Sequence, residues 1–159
     1  MGTDIHSAVE VFDGTKWHQI KNAFPGWEEG TTTSEPFDQR NYGMFAFLAD
    51  ERNYGHVPCL SQPRGWPEDR ECYQPADDYD GRWGRSWFLL SELLAFDYDQ
   101  NFEDRRCMKD GDGAADSGPG NGKIVTFRDF LPKLYFRDLE IMKGMSDDPA
   151  KVRIVFSFS

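Results

Sequence analysis

The stretch Thr3-Asp4-Ile5-His6-Ser7-Ala8-Val9-Glu10-Val11 decides how this chain is read. Ile5, Val9 and Val11 point one way and Asp4, His6 and Glu10 the other, the period of two of a β-strand with one packing face and one chemically equipped face. Asp13-Gly14 then supplies a hairpin turn into a second strand over residues 16–20. At the far end Val152, Ile154, Phe156 and Phe158 alternate with Arg153, Val155, Ser157 and Ser159, which predicts a terminal strand. Joined to the N-terminal hairpin, it makes a small antiparallel sheet that ties down both ends.

Outward from that sheet, residues 25–36 are rich in Gly, Thr and Pro and read as a loop. Asp38 is placed to cap a helix over residues 39–50, with Tyr42, Phe45, Leu48 and Ala49 on one stripe. Residues 51–82 carry Pro58, Pro63, Pro67 and Pro75 and predict a long irregular segment, of the kind that is usually functional when its aromatic residues argue for order. A short buried strand over 86–90 leads to Ser91 as the cap of a helix over 92–96. Residues 109–122 are Gly-rich and read as a flexible surface excursion. Thr126 with Asp129 opens the last helix, whose apolar positions run from Phe127 to Met142 and which Pro132 should kink or divide. The resulting class is α+β: a small antiparallel sheet packed by about three helices, with long irregular loops, in a single domain over residues 1–159.

Eighteen Lys and Arg against 28 Asp and Glu leave a net charge of −10, which excludes long-range attraction to duplex nucleic acid. A small anion remains accessible, because a few convergent Arg side chains outweigh distant acidic charge at contact range. No run approaches the roughly 20 apolar residues of a membrane span, and no signal-peptide core is legible. Cys59, Cys72 and Cys107 form neither a zinc pattern nor a disulfide framework, so buried inert thiols in a reducing cytosol are expected. No cofactor or metal is called for: only His6, His18 and His56 exist, without HxH or HExxH spacing. Residues 117–123 fail the phosphate-loop pattern, and residues 110–115 fail the EF-hand one.

Two constellations remain. Asp4, His6 and Glu10 recur at two- and four-residue steps, and neighbours on one strand face stand about 7 Å apart. If the protein is an enzyme, His6 is the acid or base and Asp4 or Glu10 its orienting partner; a half-solvated sheet face is the competing reading. The second is arginine-based: Arg40-Asn41-Tyr42-Gly43 echoes as Arg52-Asn53-Tyr54-Gly55, each copy offering a planar cation, an amide and an aromatic ring suited to a nucleobase and phosphate. Pro63-Arg64-Gly65-Trp66-Pro67 presents a further guanidinium on a stiffened backbone, with a structural ion pair as the alternative.

Taken together, Met1-Gly2-Thr3-Asp4-Ile5-His6 with Glu10, Arg40-Asn41-Tyr42, Phe45-Ala46, Leu48-Ala49, Pro63-Arg64-Gly65 with Pro67-Glu68-Asp69, Ser86 with Glu92-Leu93, and Val152-Arg153-Ile154-Val155-Phe156 resemble a family of small bacteriophage and prophage proteins. The resemblance implies viral origin and work in the cytoplasm of an infected bacterium. Where members of that family carry His-Ser-His-Ser, this chain reads Trp83-Gly84-Arg85-Ser86, which argues against a histidine-based or metal-dependent hydrolase and leaves Arg85 and Ser86 as anion contacts. The expectation is an accessory protein that binds a small anionic, nucleotide-like ligand and thereby sequesters or degrades a host defence signal. Arg40, Asn41, Tyr42, Arg64, Trp66, Arg85 and Ser86 are the ligand-binding candidates. The alternatives are an acidic inhibitor of a host protein and a small acid/base hydrolase using His6; a homo-oligomer is compatible with each.

Overall fold

The computed structural model describes residues 2–75, 81–108 and 116–159. They form an α+β fold that divides into two compact units: Met1–Arg40, Pro63–Phe96 and Lys133–Ser159 in the first, Asn41–Gln62 and Asp97–Pro132 in the second.

The first unit is built on β1 (Ile5–Phe12), β2 (Trp17–Ile20), β5 (Trp83–Leu89) and β8 (Val152–Phe158), antiparallel throughout in the order β2-β1-β8-β5. β3 (Phe24–Pro25) and β4 (Thr32–Thr33) form a separate short ladder between β2 and residue 40. The hairpin turn closes as its sequence predicts: Gly14 takes φ 100°, and Asp13 Oδ1 accepts from the Thr15 and Lys16 N–H groups. β8 pairs with β1 from Ile5↔Phe158 to Val11↔Val152 and is buried along its whole length, so the terminal strand lies inside the sheet. β5 begins at Trp83, earlier than the predicted residue 86, and a register shift between Trp83 and Ser86, with Gly84 at φ 62°, hides that start from a period-two pattern.

Both sheet faces are covered. On one lie Ile5, Val9, Ile154, Phe156, Phe158 and Phe88, all buried. The other, read from the sequence as chemically equipped, is closed around Ala8, Val155 and Cys72 by Trp66, Tyr73 and Trp87. Trp66, Cys72 and Tyr73 of the Pro-rich segment therefore pack on the sheet, and residues 51–75 hold neither strand nor α-helix.

Among the described residues two α-helices belong to this unit. α2 (Leu90–Ala95) starts at Leu89 and not at the predicted Ser91, because the Glu92 carboxylate reaches back to accept the Leu89 N–H at 2.8 Å. α4 (Lys133–Lys143) buries Tyr135, Leu139 and Met142 at helical spacing together with Asp138. The Asp138 carboxylate accepts the Phe37 N–H at 2.7 Å, and burial raises its pKa.

The second unit holds α1 (Tyr42–Ala49), β6 (Asn101–Met108), β7 (Gly122–Thr126) and α3 (Phe127–Phe130). α1 does not begin at Gln39 behind Asp38. Phe37 turns at φ 61°, and Asn41 caps the helix by accepting the Met44 N–H at 2.9 Å. Residues Met44 to Ala49 are all buried, and Phe47 packs on Tyr98 and Phe127. Thr126 caps α3 through the Asp129 N–H, and Pro132 separates α3 from α4, both as the sequence predicts. The antiparallel β6–β7 hairpin was not expected: Gly122 ends the predicted excursion inside β7, and residues 109–115 of that excursion lie outside the described residues.

Candidate functional site

Within the second unit a cleft of about 270 Å³ opens between the start of α1, the turn that follows α1, one face of β6, and Phe130. Both copies of the Arg-Asn-Tyr-Gly echo reach it: Asn41, Tyr42 and Gly43 from the first, Arg52 and Gly55 from the second. β6 adds Asp104 and, from the irregular stretch of the ladder that follows it, Arg106, while Ala46 and Val57 complete an apolar wall.

The local backbone explains the convergence. α1 ends at Asp50 in the left-handed region, and Arg52 and His56 follow with φ of 51° and 55°. Three non-glycine residues in that region within seven positions mark a strained turn, the kind of backbone that functional sites carry. Asn53 locks it, donating to Asp50 Oδ1 and the Val57 carbonyl and accepting the Val57 N–H, all within 2.8 Å. The Gly55 carbonyl accepts the Arg105 N–H at 3.0 Å, which joins the turn to β6.

Each glycine of the echo makes room for a cleft group. A Cβ on Gly43 would stand 2.5 Å from the Phe130 ring, and one on Gly55 2.8 Å from Asp104 Oδ1. Phe130 is held edge-on against Phe102 at 4.9 Å.

The cations are arranged on aromatic rings. The Arg52 guanidinium lies over Tyr42 at 5.8 Å and donates to the Tyr54 hydroxyl at 2.8 Å, while the Arg106 guanidinium lies over the Tyr54 face at 5.2 Å. Arg106 is exposed and Arg52 half-buried, whereas Asp104 is only 8% exposed. The cleft thus combines a buried carboxylate with more exposed guanidinium and aromatic groups.

The other candidates sit in the first unit. Arg40 forms a two-pronged pair with Asp4, both contacts at 2.9 Å, and that bond lowers the Asp4 pKa. Glu10 is fully buried; it accepts Arg153 Nε at 2.9 Å and the Glu71 and Cys72 N–H groups at 2.7 and 2.9 Å. Arg153 continues to Asp69 at 3.0 Å and lies 4.0 Å over the Trp17 ring, so Glu10 anchors the Pro-rich segment to the sheet.

Arg64 and Ser86 are brought together. Ser86 Oγ accepts the Arg64 N–H, and the Arg64 side chain grips Glu92 at 2.8 and 2.9 Å and the Trp87 carbonyl at 3.2 Å. Trp66 donates to the Phe156 carbonyl and is stacked by Tyr73 at 4.8 Å, with Arg85 4.2 Å from its ring centre.

His6 neighbours neither Glu10 nor Asp4 at hydrogen-bond range. Its Nε2 meets Ser159 Oγ at 2.5 Å and its Nδ1 lies 3.9 Å from Glu35. Partial burial and the positive charge of Arg82 lower its pKa, and burial raises that of Glu35.

Burial raises the pKa of all three cysteines, most strongly at Cys72. Among the described residues no three or more His, Cys, Asp or Glu side chains group to hold a metal ion, and no helix is long and apolar enough to cross a membrane.

Sequence reasoning missed Asp104, Arg106 and Phe130 as candidates, and it read Arg52 only as part of the second echo copy, outside the set of ligand-binding residues. The signal for Arg52 was the tetrapeptide echo itself. Asp104 and Arg106 occupy a run of consecutive charges, part of it in an irregular stretch of the ladder, which conceals any period. In comparisons with protein-family models, curated proteins and solved structures, nothing matches the chain.

Proposed function

We propose that the protein binds a small anionic, nucleotide-like ligand in the cleft of the second unit. The observation that carries this reading is the convergence of both Arg-Asn-Tyr-Gly copies on one cleft with two guanidinium groups and two aromatic side chains, Tyr42 and Phe130. Arg52 and Arg106 supply charge-assisted contacts to phosphate oxygens, and Tyr42 or Phe130 supplies an apolar ring face to a base. The volume lies near the lower end of the roughly 300–1,000 Å³ of small-molecule sites, which suits a single nucleotide unit. Asn41 has a defined part: its Oδ1 is committed to the α1 cap, so only its amide N–H₂ is offered to a ligand. Sequestration or degradation of a host defence signal by a phage accessory protein is the biological setting we propose, on the strength of the family resemblance.

The test is isothermal titration of the purified chain with 5′-mononucleotides, wild type against Arg52→Ala/Arg106→Ala. Loss of two charged contacts should weaken binding at least about tenfold, on the ~1.5–3 kcal/mol scale of one such bond. Equal affinity in the double variant would remove the cleft from the reading. Absence of binding by the wild type would favour the acidic inhibitor of a host protein, consistent with the net charge of −10.

A second reading, a small hydrolase using His6, is favoured by one contact: His6 Nε2 at 2.5 Å from the Ser159 hydroxyl, with partial burial and the charge of Arg82 lowering the ring's pKa. It requires that His6→Ala abolish turnover of a nucleotide substrate while leaving its binding intact. Undiminished turnover rejects that role.

A further inference from the structure

We propose that Asp104 makes the cleft selective for a base edge carrying two adjacent hydrogen-bond donors, the guanine edge among the common bases; the inference rests on the nucleotide-binding reading above. Asp104 lines the cleft at 8% exposure, yet among the described residues no Arg or Lys nitrogen pairs with it within 4 Å. The two guanidinium groups nearest in the lining are directed to Tyr42 and Tyr54.

A buried carboxylate without a counter-ion needs donors. Asp104 Oδ1 accepts the Arg106 N–H at 3.0 Å. An ionised carboxylate has about four acceptor sites, so acceptor capacity remains for a ligand. Gly55 preserves the arrangement, since a Cβ there would meet Asp104 Oδ1 at 2.8 Å and push the carboxylate aside.

An ionised carboxylate offers only acceptors, which decides among the bases. Guanine presents N1–H and the N2 amino group side by side, and both can donate to it. Adenine and cytosine set a ring-nitrogen acceptor beside their amino group, and uracil flanks its single N–H with two carbonyls, so each turns a lone pair towards the carboxylate. Burial makes that mismatch costly. With the base edge at Asp104, the phosphate is left to Arg52 and Arg106, which offset the carboxylate's own charge.

The experiment is a calorimetric panel on the full chain with GMP, IMP, XMP and AMP, which share one phosphate, and inorganic phosphate as the base-free probe. GMP should bind at least about tenfold tighter than AMP, with IMP, which lacks the 2-amino donor, between them. Asp104→Asn, whose amide offers one donor and one acceptor, should lose GMP affinity and gain XMP affinity, because xanthine carries a carbonyl where guanine carries its amino group. Equal binding of all four nucleotides, with loss in Arg52→Ala/Arg106→Ala, overturns base reading while the anion site stands. Binding of none of them, or binding that the double Arg variant leaves unchanged, overturns both. The wild-type panel decides the matter even if Asp104→Asn fails to fold.

Discussion

Glu10 and Arg153 face each other across β1 and β8, at 0% and 4% exposure, with every Glu10 contact coming from a strand neighbour or from the segment that covers it. Removing one partner leaves the other charge buried and unpaired, which costs about 3–5 kcal/mol. Glu10→Ala and Arg153→Ala should each lower the urea midpoint by that equivalent, and a loss under about 1 kcal/mol in both would contradict the anchoring role. The cleft glycines act by the same close-contact logic. Gly43→Ala gains up to about 1 kcal/mol of helix propensity but drives a methyl group against Phe130, and overpacking of that kind costs about 1–3 kcal/mol. Net destabilisation in a denaturant titration is therefore predicted, and net stabilisation would show that the ring yields freely. Glu10 was legible as a strand residue, but its burial was not, because the cover comes from residues some 60 positions away. Asn41 and Tyr42 were legible through their echo; Asp104 had no local signature.

Among the elements, α1 is positioned by its cap and by what precedes it. Asn41→Ala should cost about 1 kcal/mol, read as a lowered denaturation midpoint, and a change within about 0.3 kcal/mol would mean that the Met44 N–H finds another acceptor. α2 is joined to the Pro-rich segment through Arg64 and Glu92, and that bond lowers the Glu92 pKa from its ordinary 4.5. A carboxylate depressed in the folded state adds stability above its unfolded pKa and loses it as pH falls through the folded value. Arg64→Ala should flatten that acid-side loss, and identical pH profiles for wild type and variant would contradict the coupling. The strands at both ends of the chain could be read because their alternation survives burial. The β6–β7 hairpin could not, because Glu103 to Arg106 are four consecutive charges and the ladder shifts register between Asp104 and Met108. The predicted starts of α1 and α2 failed for a related reason: each true start depends on a side chain or a turn supplied by the fold.

For the whole molecule, a net charge of −10 means that any anion site must act locally, as the proposed one at the guanidinium pair of the second unit would have to do against the long-range field. His6 adds a pH dependence of its own. Its folded pKa lies below the ordinary 6.5, so its contribution is complete above that pH and is lost as pH falls through the folded value. His6→Gln should therefore narrow the fall in Tm on acidification below pH 6.5, and an unaltered slope would contradict the assigned shift. The central claim concerns where the ligand sits, and amide chemical-shift mapping of the isotope-labelled chain titrated with GMP tests it most directly. Saturable shifts are expected at Asn41 to Gly43, Arg52 to Val57, Asp104 to Arg106 and Phe130, lost in Arg52→Ala/Arg106→Ala; shifts confined to the surroundings of Arg64, Trp66 and Arg85, or none at millimolar ligand, would contradict a ligand site in this cleft.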